Sequence, residues 1–173
     1  MTSTEFVETE VVVSLSGLVA ERIACREFSR AYRRSCSRFG APKLKALHEA
    51  AHTVISSALG LHPRIVTIVS DASRMVGNGY RGGYSQSSYQ PPSSDAPPAQ
   101  EPPSSEPSQT DTQYVVALLR LAGQYHLERL REYRLRTEAL LVEHWPEVER
   151  LAKLLWERKT LGRPEILAIL EGR

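Results

Sequence analysis

The sequence predicts a mainly α-helical fold with a small β element, an α+β domain. Three observations predict it. Apolar residues recur at helical spacing through most of the first and last sixty or so residues. One β-branched run, Arg64-Ile65-Val66-Thr67-Ile68-Val69, stands apart from them. A tract rich in proline and serine, residues 86–110, separates the two helical parts. At 173 residues and 41% hydrophobic content the chain can bury one core and has room for appendages.

Residues 1–10 are polar and predict a frayed end. From Thr9 to Ser37 the pattern predicts a helix in which Leu15, Leu18, Val19, Ile23 and Phe28 share a face. Arg22, Arg26, Arg30, Arg33 and Arg34 crowd its other sides. Phe39-Gly40-Ala41-Pro42 predicts a break, because glycine and proline stop one helix and start the next. A second helix follows to Leu59, with Pro42 in its first turn and Gly60 past its end. Its apolar residues are Leu44, Leu47, Ala51, Val54, Ile55, Ala58 and Leu59. The β-branched run predicts a strand, and the turn-like stretch Gly77–Tyr84 leaves room for a second strand around Tyr80–Tyr84. Residues 86–110 cannot build a core and read as a flexible linker, with a spacer as its simplest role. A helix is then expected over Gln113–His144, interruptible at Gly123. Trp145-Pro146 starts another, over Glu147–Lys159, and Arg163-Pro164-Glu165 opens a short last one. The chain thus divides into an N-terminal basic helical segment (1–41), a motif helix with a short sheet (42–85), the linker (86–110) and C-terminal helices completing the same domain (111–173).

The second helix carries His48-Glu49-Ala50-Ala51-His52, an H-E-x-x-H pentapeptide. Residues four apart lie one above the other on a helix, so two imidazoles at this spacing can grip one zinc ion. The glutamate between them is placed to accept a proton from an attacking water. Two histidines on an otherwise apolar core helix are the alternative.

A catalytic zinc needs a third protein ligand and an open position. The chain has three aspartates, Asp71, Asp95 and Asp111. Asp95 lies in the linker. Asp71 ends the strand, where a turn would also suit it. Asp111 stands at the mouth of a long helix, where a carboxylate either reaches the histidines or caps free backbone N–H groups.

Other function classes find less support. The net charge of +2 does not imply a nucleic-acid partner. Residues 22–45 do hold Arg22, Arg26, Arg30, Arg33, Arg34, Arg38, Lys43 and Lys45 against one acid, Glu27, but a solvated basic face accounts for them. Cys25 and Cys36 match no zinc framework and read as reduced thiols. No apolar run reaches the ~18 residues of a membrane span. No G-x-x-x-x-G-K-[ST] phosphate loop occurs, so no nucleotide site is expected. The expected protein is soluble and cytoplasmic, of unspecified oligomeric state.

Four stretches resemble the zinc peptidase domain of FtsH-type ATP-dependent proteases, and most nearly its small stand-alone relatives. They are His48–His52 with its trailing Ser57-Ala58-Leu59-Gly60; His62–Val69 followed by Gly79-Tyr80; Thr110-Asp111 opening a helix; and Val142–Ala152 running on to Leu161 and Ile166. Together they cover residues 42–84 and 110–171. The resemblance implies a helical H-E-x-x-H zinc-peptidase fold with bound Zn2+, ligands His48, His52 and Asp111, and Glu49 as catalytic base.

Two departures accompany the resemblance. Where that family has an L-A-G-x-x-A-E helix, this chain has the linker. A similar string, Leu15-Ser16-Gly17-Leu18-Val19-Ala20-Glu21, precedes the motif helix instead. If Leu121-Ala122-Gly123 were the counterpart, Glu128 or Glu132 would have to replace Asp111 as ligand. The ATPase module is also missing, so the implied activity is a zinc metalloendopeptidase acting on flexible or unfolded polypeptides. An inactive peptidase-like interaction module is the alternative, and a basic nucleic-acid-contacting protein a further one.

Overall fold

A computed structural model of the chain describes residues 3–27, 31–69, 84–88 and 111–172, with side chains at 4–24, 43–69 and 111–172. Six helices and three short strands are described: α1 (Ser3–Glu27), α2 (Ala31–Ala58), β1 (His62–Thr67), β2 (Tyr84–Ser88), α3 (Asp111–Leu121), α4 (Leu127–Glu143), α5 (Trp145–Arg158), β3 (Thr160–Gly162) and α6 (Arg163–Leu170). The fold is mainly helical with a small antiparallel sheet, as the sequence predicts.

Helix α1 buries Val11, Val12, Leu15, Val19, Ala20 and Ile23 along one stripe. It therefore begins well before Thr9, and Val7 in the supposedly frayed segment is already buried. Three or four apolar residues per two turns suffice to hold a helix against a core. Helix α2 answers with Ala46, Leu47, Ala50, Ala51, Val54 and Ile55. The small alanines let the two helices approach closely.

The break expected at Phe39–Pro42 does not occur, since α2 is continuous from Ala31 to Ala58. One proline removes one rung of the helical ladder, at about 3 kcal/mol. The sixteen residues that follow Pro42 within α2 include the six core positions just named, and their packing outweighs that loss. The end at Gly60 is as expected. Its φ of 80° is left-handed, Leu61 N–H donates to Ser56 O at 2.9 Å and Gly60 N–H to Ser57 O at 3.0 Å. Those two bonds form a Schellman cap.

The sheet has the order β2-β1-β3, both pairings antiparallel. Strand β1 runs two residues earlier than the β-branched run, and β2 occupies Tyr84–Ser88, sharing Tyr84 with the stretch expected over Tyr80–Tyr84, whose other residues lie outside the described ones. The linker tract thus begins inside β2; Asp71, Asp95 and residues 89–110 lie outside the described residues. Strand β3 was not expected at all. It pairs Val66 with Leu161, both fully buried, and Thr67 with Thr160, whose hydroxyls are 2.7 Å apart.

The helix expected over Gln113–His144 is interrupted at the glycine the sequence marks, giving α3 and α4. Gly123, at φ 66°, ends α3 with the same paired capping bonds, Gln124 N–H to Leu119 O and Gly123 N–H to Arg120 O. Pro146 and Pro164 stand in the first turns of α5 and α6, as predicted. Val115, Leu119, Leu141, Val148, Leu151, Leu155 and Ile166 join the same core as α1 and α2.

Candidate metal centre

His48 and His52 share one face of α2. Their rings meet edge-on, with an interplanar angle of 72° and centroids 4.6 Å apart, which brings the two Nε2 atoms to 2.9 Å. Asp111, the first residue of α3, turns its carboxylate toward the same point. Its Oδ2 is 2.9 Å from His48 Nε2 and 3.6 Å from His52 Nε2. A segment 59 residues further along the chain thus completes the cluster, and these three residues could hold a metal ion.

The far sides of both rings are held by α1. His48 Nδ1 is 2.9 Å from Glu21 Oε1, and His52 Nδ1 is 2.7 Å from the carbonyl oxygen of Val13. A carbonyl oxygen only accepts, so His52 Nδ1 must carry the hydrogen. Ser16 stands beside it, donating its hydroxyl to Val13 O at 2.6 Å with its oxygen 3.2 Å from His52 Nδ1. The Glu21 carboxylate likewise requires an N–H on His48 Nδ1. Both rings therefore direct Nε2 lone pairs inward, to where the Asp111 oxygen also points. Three acceptor atoms converging within 2.9–3.6 Å repel one another unless a cation lies between them.

The donor set fits zinc. Three atoms at these separations leave room for a point about 2 Å from each, the length of zinc bonds to nitrogen and oxygen. Imidazoles whose second nitrogen donates to a carboxylate or a backbone carbonyl are the usual form of histidine ligand.

Without a metal, a proton does the neutralising. Burial alone would depress the His48 pKa. Its hydrogen bonds to Asp111 and Glu21 outweigh that and raise it to about 10. Asp111 is also partly desolvated, yet the two imidazoles hold its carboxyl well below the usual carboxylate range. Glu49 is 6% exposed, and its pKa is raised chiefly by that burial, against the opposing pull of both imidazoles. Lys45, one turn earlier, donates to the Ile68 carbonyl at 2.7 Å and anchors the end of β1 beside this part of α2.

Gly17 gives the His48 ring its space. A Cβ built at Gly17 would lie 2.5 Å from His48 Nε2 and 2.6 Å from Cδ2 and Cε1.

The structure thus brings together His48, His52 and Asp111, with Glu49 adjoining. Glu128 and Glu132 are not part of the cluster; Glu132 instead pairs with Arg129 on the surface of α4. Those alternatives required Leu121-Ala122-Gly123 to supply the helix behind the histidines, whereas α1 supplies it. The sequence assigned no contact to Glu21, Ser16 or Gly17. The signal that pointed to them was the string Leu15–Glu21, which lies directly against the motif.

Compared with known proteins, the chain matches no family model, no curated protein and no solved structure. No helix among the described residues is long and apolar enough to cross a membrane.

Proposed function

We propose that this protein is a zinc-dependent metallopeptidase that hydrolyses peptide bonds in flexible or unfolded polypeptides. One observation carries the reading: two imidazole lone pairs and one carboxylate oxygen converge from α2 and α3, with the carboxylate of Glu49 buried beside them. The resemblance of His48–His52 and Thr110-Asp111 to FtsH-type peptidase domains supports the same reading.

His48, His52 and Asp111 would hold the ion. Zinc supplies Lewis-acid polarisation of the scissile carbonyl and of the attacking water. Glu49 takes the proton from that water and passes it to the departing amine. Burial raises its pKa and makes it a stronger base than an exposed carboxylate. Glu21 and the Val13 carbonyl keep both imidazoles in the tautomer that presents Nε2. No phosphate loop occurs among these 173 residues, so the domain itself has no means of pulling a folded substrate apart.

The test is metal analysis of wild type, Glu49→Gln and Asp111→Ala, beside hydrolysis of an unfolded casein-type substrate. One zinc per chain is expected in wild type and Glu49→Gln, with turnover in wild type alone. Asp111→Ala should lose both. Protein that carries no zinc, with Glu49→Gln cutting as well as wild type, would overturn the proposal. Zinc without hydrolysis of any unfolded protein would mark an interaction module instead.

A further inference from the structure

A groove of ≈ 970 Å³ runs between α1, the start of α3 and α4. It borders the metal centre through two of its lining residues. Glu21 is the residue bonded to His48 Nδ1, and Thr112 follows Asp111. Its walls carry Leu15, Leu18, Leu127, Leu130 and Leu135. Leu127 and Leu135 are 75% and 59% exposed, a surplus of apolar surface that a helix turned to water alone would not favour. Arg22, Arg131 and Arg134 stand along the same groove, and among the described residues none of the three has an ion-pair partner. The other two charged groups in the wall are Glu21 and Glu138, each already engaged.

We infer that this groove seats the polypeptide substrate and selects segments in which bulky apolar residues are flanked by acidic ones. That it is a substrate seat rests on the peptidase reading above; that it binds such segments does not. Apolar side chains fill the leucine-lined floor, and aspartate or glutamate neighbours pair with the arginines. The groove's size is that of an ordinary ligand cleft, about 300–1,000 Å³. Its contact with Glu21, behind His48, and with Thr112, next to Asp111, places a bound chain beside the elements that hold the site rather than on a remote face. The arginine charges are largely exposed, so they add selectivity and salt dependence more than raw affinity.

The experiment uses the full chain carrying Glu49→Gln and four fluorescein-labelled peptides. Three share a Leu-Leu-Phe-Leu centre flanked by glutamates, serines or lysines; the fourth has glutamate flanks around a Gly-Ser centre. Fluorescence anisotropy reads their affinities at low and high salt. The acidic-flanked apolar peptide should bind about three- to tenfold tighter than the lysine-flanked one, a preference that added salt erodes. Arg131→Glu, a change on an exposed side chain, should abolish or invert that preference. Leu135→Ser, also exposed, should weaken all three apolar peptides and leave the Gly-Ser peptide unaffected. Equal binding of the three flanks, or an Arg131→Glu protein with the original preference, would overturn the inference. Wild-type cleavage of the same peptides is scored separately. Selective binding without cleavage supports the groove and sinks the peptidase reading. Cleavage indifferent to flanking charge and to Arg131→Glu does the reverse.

Discussion

Replacing Gly17 by alanine sets two effects of known sign against each other. Gly17 lies within α1 and has no left-handed φ, so alanine suits its backbone better than glycine does. Helix propensity alone predicts a gain of about 1 kcal/mol. The added methyl, however, would lie 2.5–2.6 Å from three atoms of the His48 ring. Ordinary contact needs roughly 3.5 Å or more, so about 1 Å must be found. The ring cannot yield freely, because Glu21 holds one side and Asp111 faces the other. If α1 moves instead, the bonds to Glu21 and to the Val13 carbonyl both stretch. Overpacking of this kind costs about 1–3 kcal/mol, so the metal-free variant should range from unchanged to about 2 kcal/mol less stable. Disturbing the partners of histidine ligands lowers metal affinity about 10- to 100-fold. Competition with a chromophoric chelator gives the affinity, and thermal melts with and without zinc give the stability. An alanine variant that holds zinc as tightly as wild type and melts at a higher temperature would show propensity acting alone, and would refute the close approach of α1 to His48.

Three further outcomes are expected. Glu21→Gln retains the size of the side chain but removes the charge that fixes His48 Nδ1–H, and should weaken zinc binding about tenfold by the same chelator assay. The metal-free protein should respond to pH with a definite sign. His48 has its pKa raised from 6.5 to about 10 on folding, so its stabilising contribution is full below 6.5 and lost as pH climbs through 10. Asp111 is depressed from 3.8, so its contribution is present above that value and fades as pH falls through the lower folded one. Urea midpoints of the zinc-free protein should therefore fall between pH 6.5 and 10, and a flat profile there would contradict the His48–Asp111 pairing. Zinc replaces the His48 proton, so its binding at pH 7 should release about one proton, read as a calorimetric heat that varies with the buffer's ionisation enthalpy.

What the sequence disclosed of this site was its local part. The spacing of His48 and His52 is a property of one helical turn, and no tertiary knowledge is needed to see it. Asp111 was visible only as a candidate, because a carboxylate opening a helix serves equally well as a cap; what decides is how α3 docks on α1 so that its first residue reaches the histidines of α2, which is long-range packing. Strand β3 escaped notice for a related reason. Thr160-Leu161-Gly162 is too short for periodicity to register, and it exists because Val66 and Leu161 pair and bury each other. Gly40 and Pro42 misled in the opposite direction. They mark residues that weaken a helix, and weakening is decided against packing that the local sequence does not display.

The contacts of α1 show why fold and site cannot be separated here. Val13, Gly17 and Glu21 follow one another at intervals of four along a single stripe, and they meet His52, His48 and again His48 in reverse chain order. Helices α1 and α2 are therefore antiparallel, and each position on the stripe meets a different need of the histidines. Val13 offers a carbonyl to one buried N–H, Glu21 offers a carboxylate to the other, and Gly17 withholds a side chain where a ring must pass. An apolar residue in place of Glu21 would pack α1 equally well but would leave the His48 N–H unsatisfied, at about 1–3 kcal/mol, while the backbone carbonyl of Val13 serves His52 whatever its side chain. A slip of one residue along α1 would rotate all three positions off the histidines together, since neighbours on a helix are about 100° apart. Glu21, Gly17 and the Val13 carbonyl thus fix the register of the α1–α2 packing, while Val12, Leu15, Val19 and Ile23 supply its strength. Metal binding by the two imidazoles and the docking of α1 should accordingly rise and fall together.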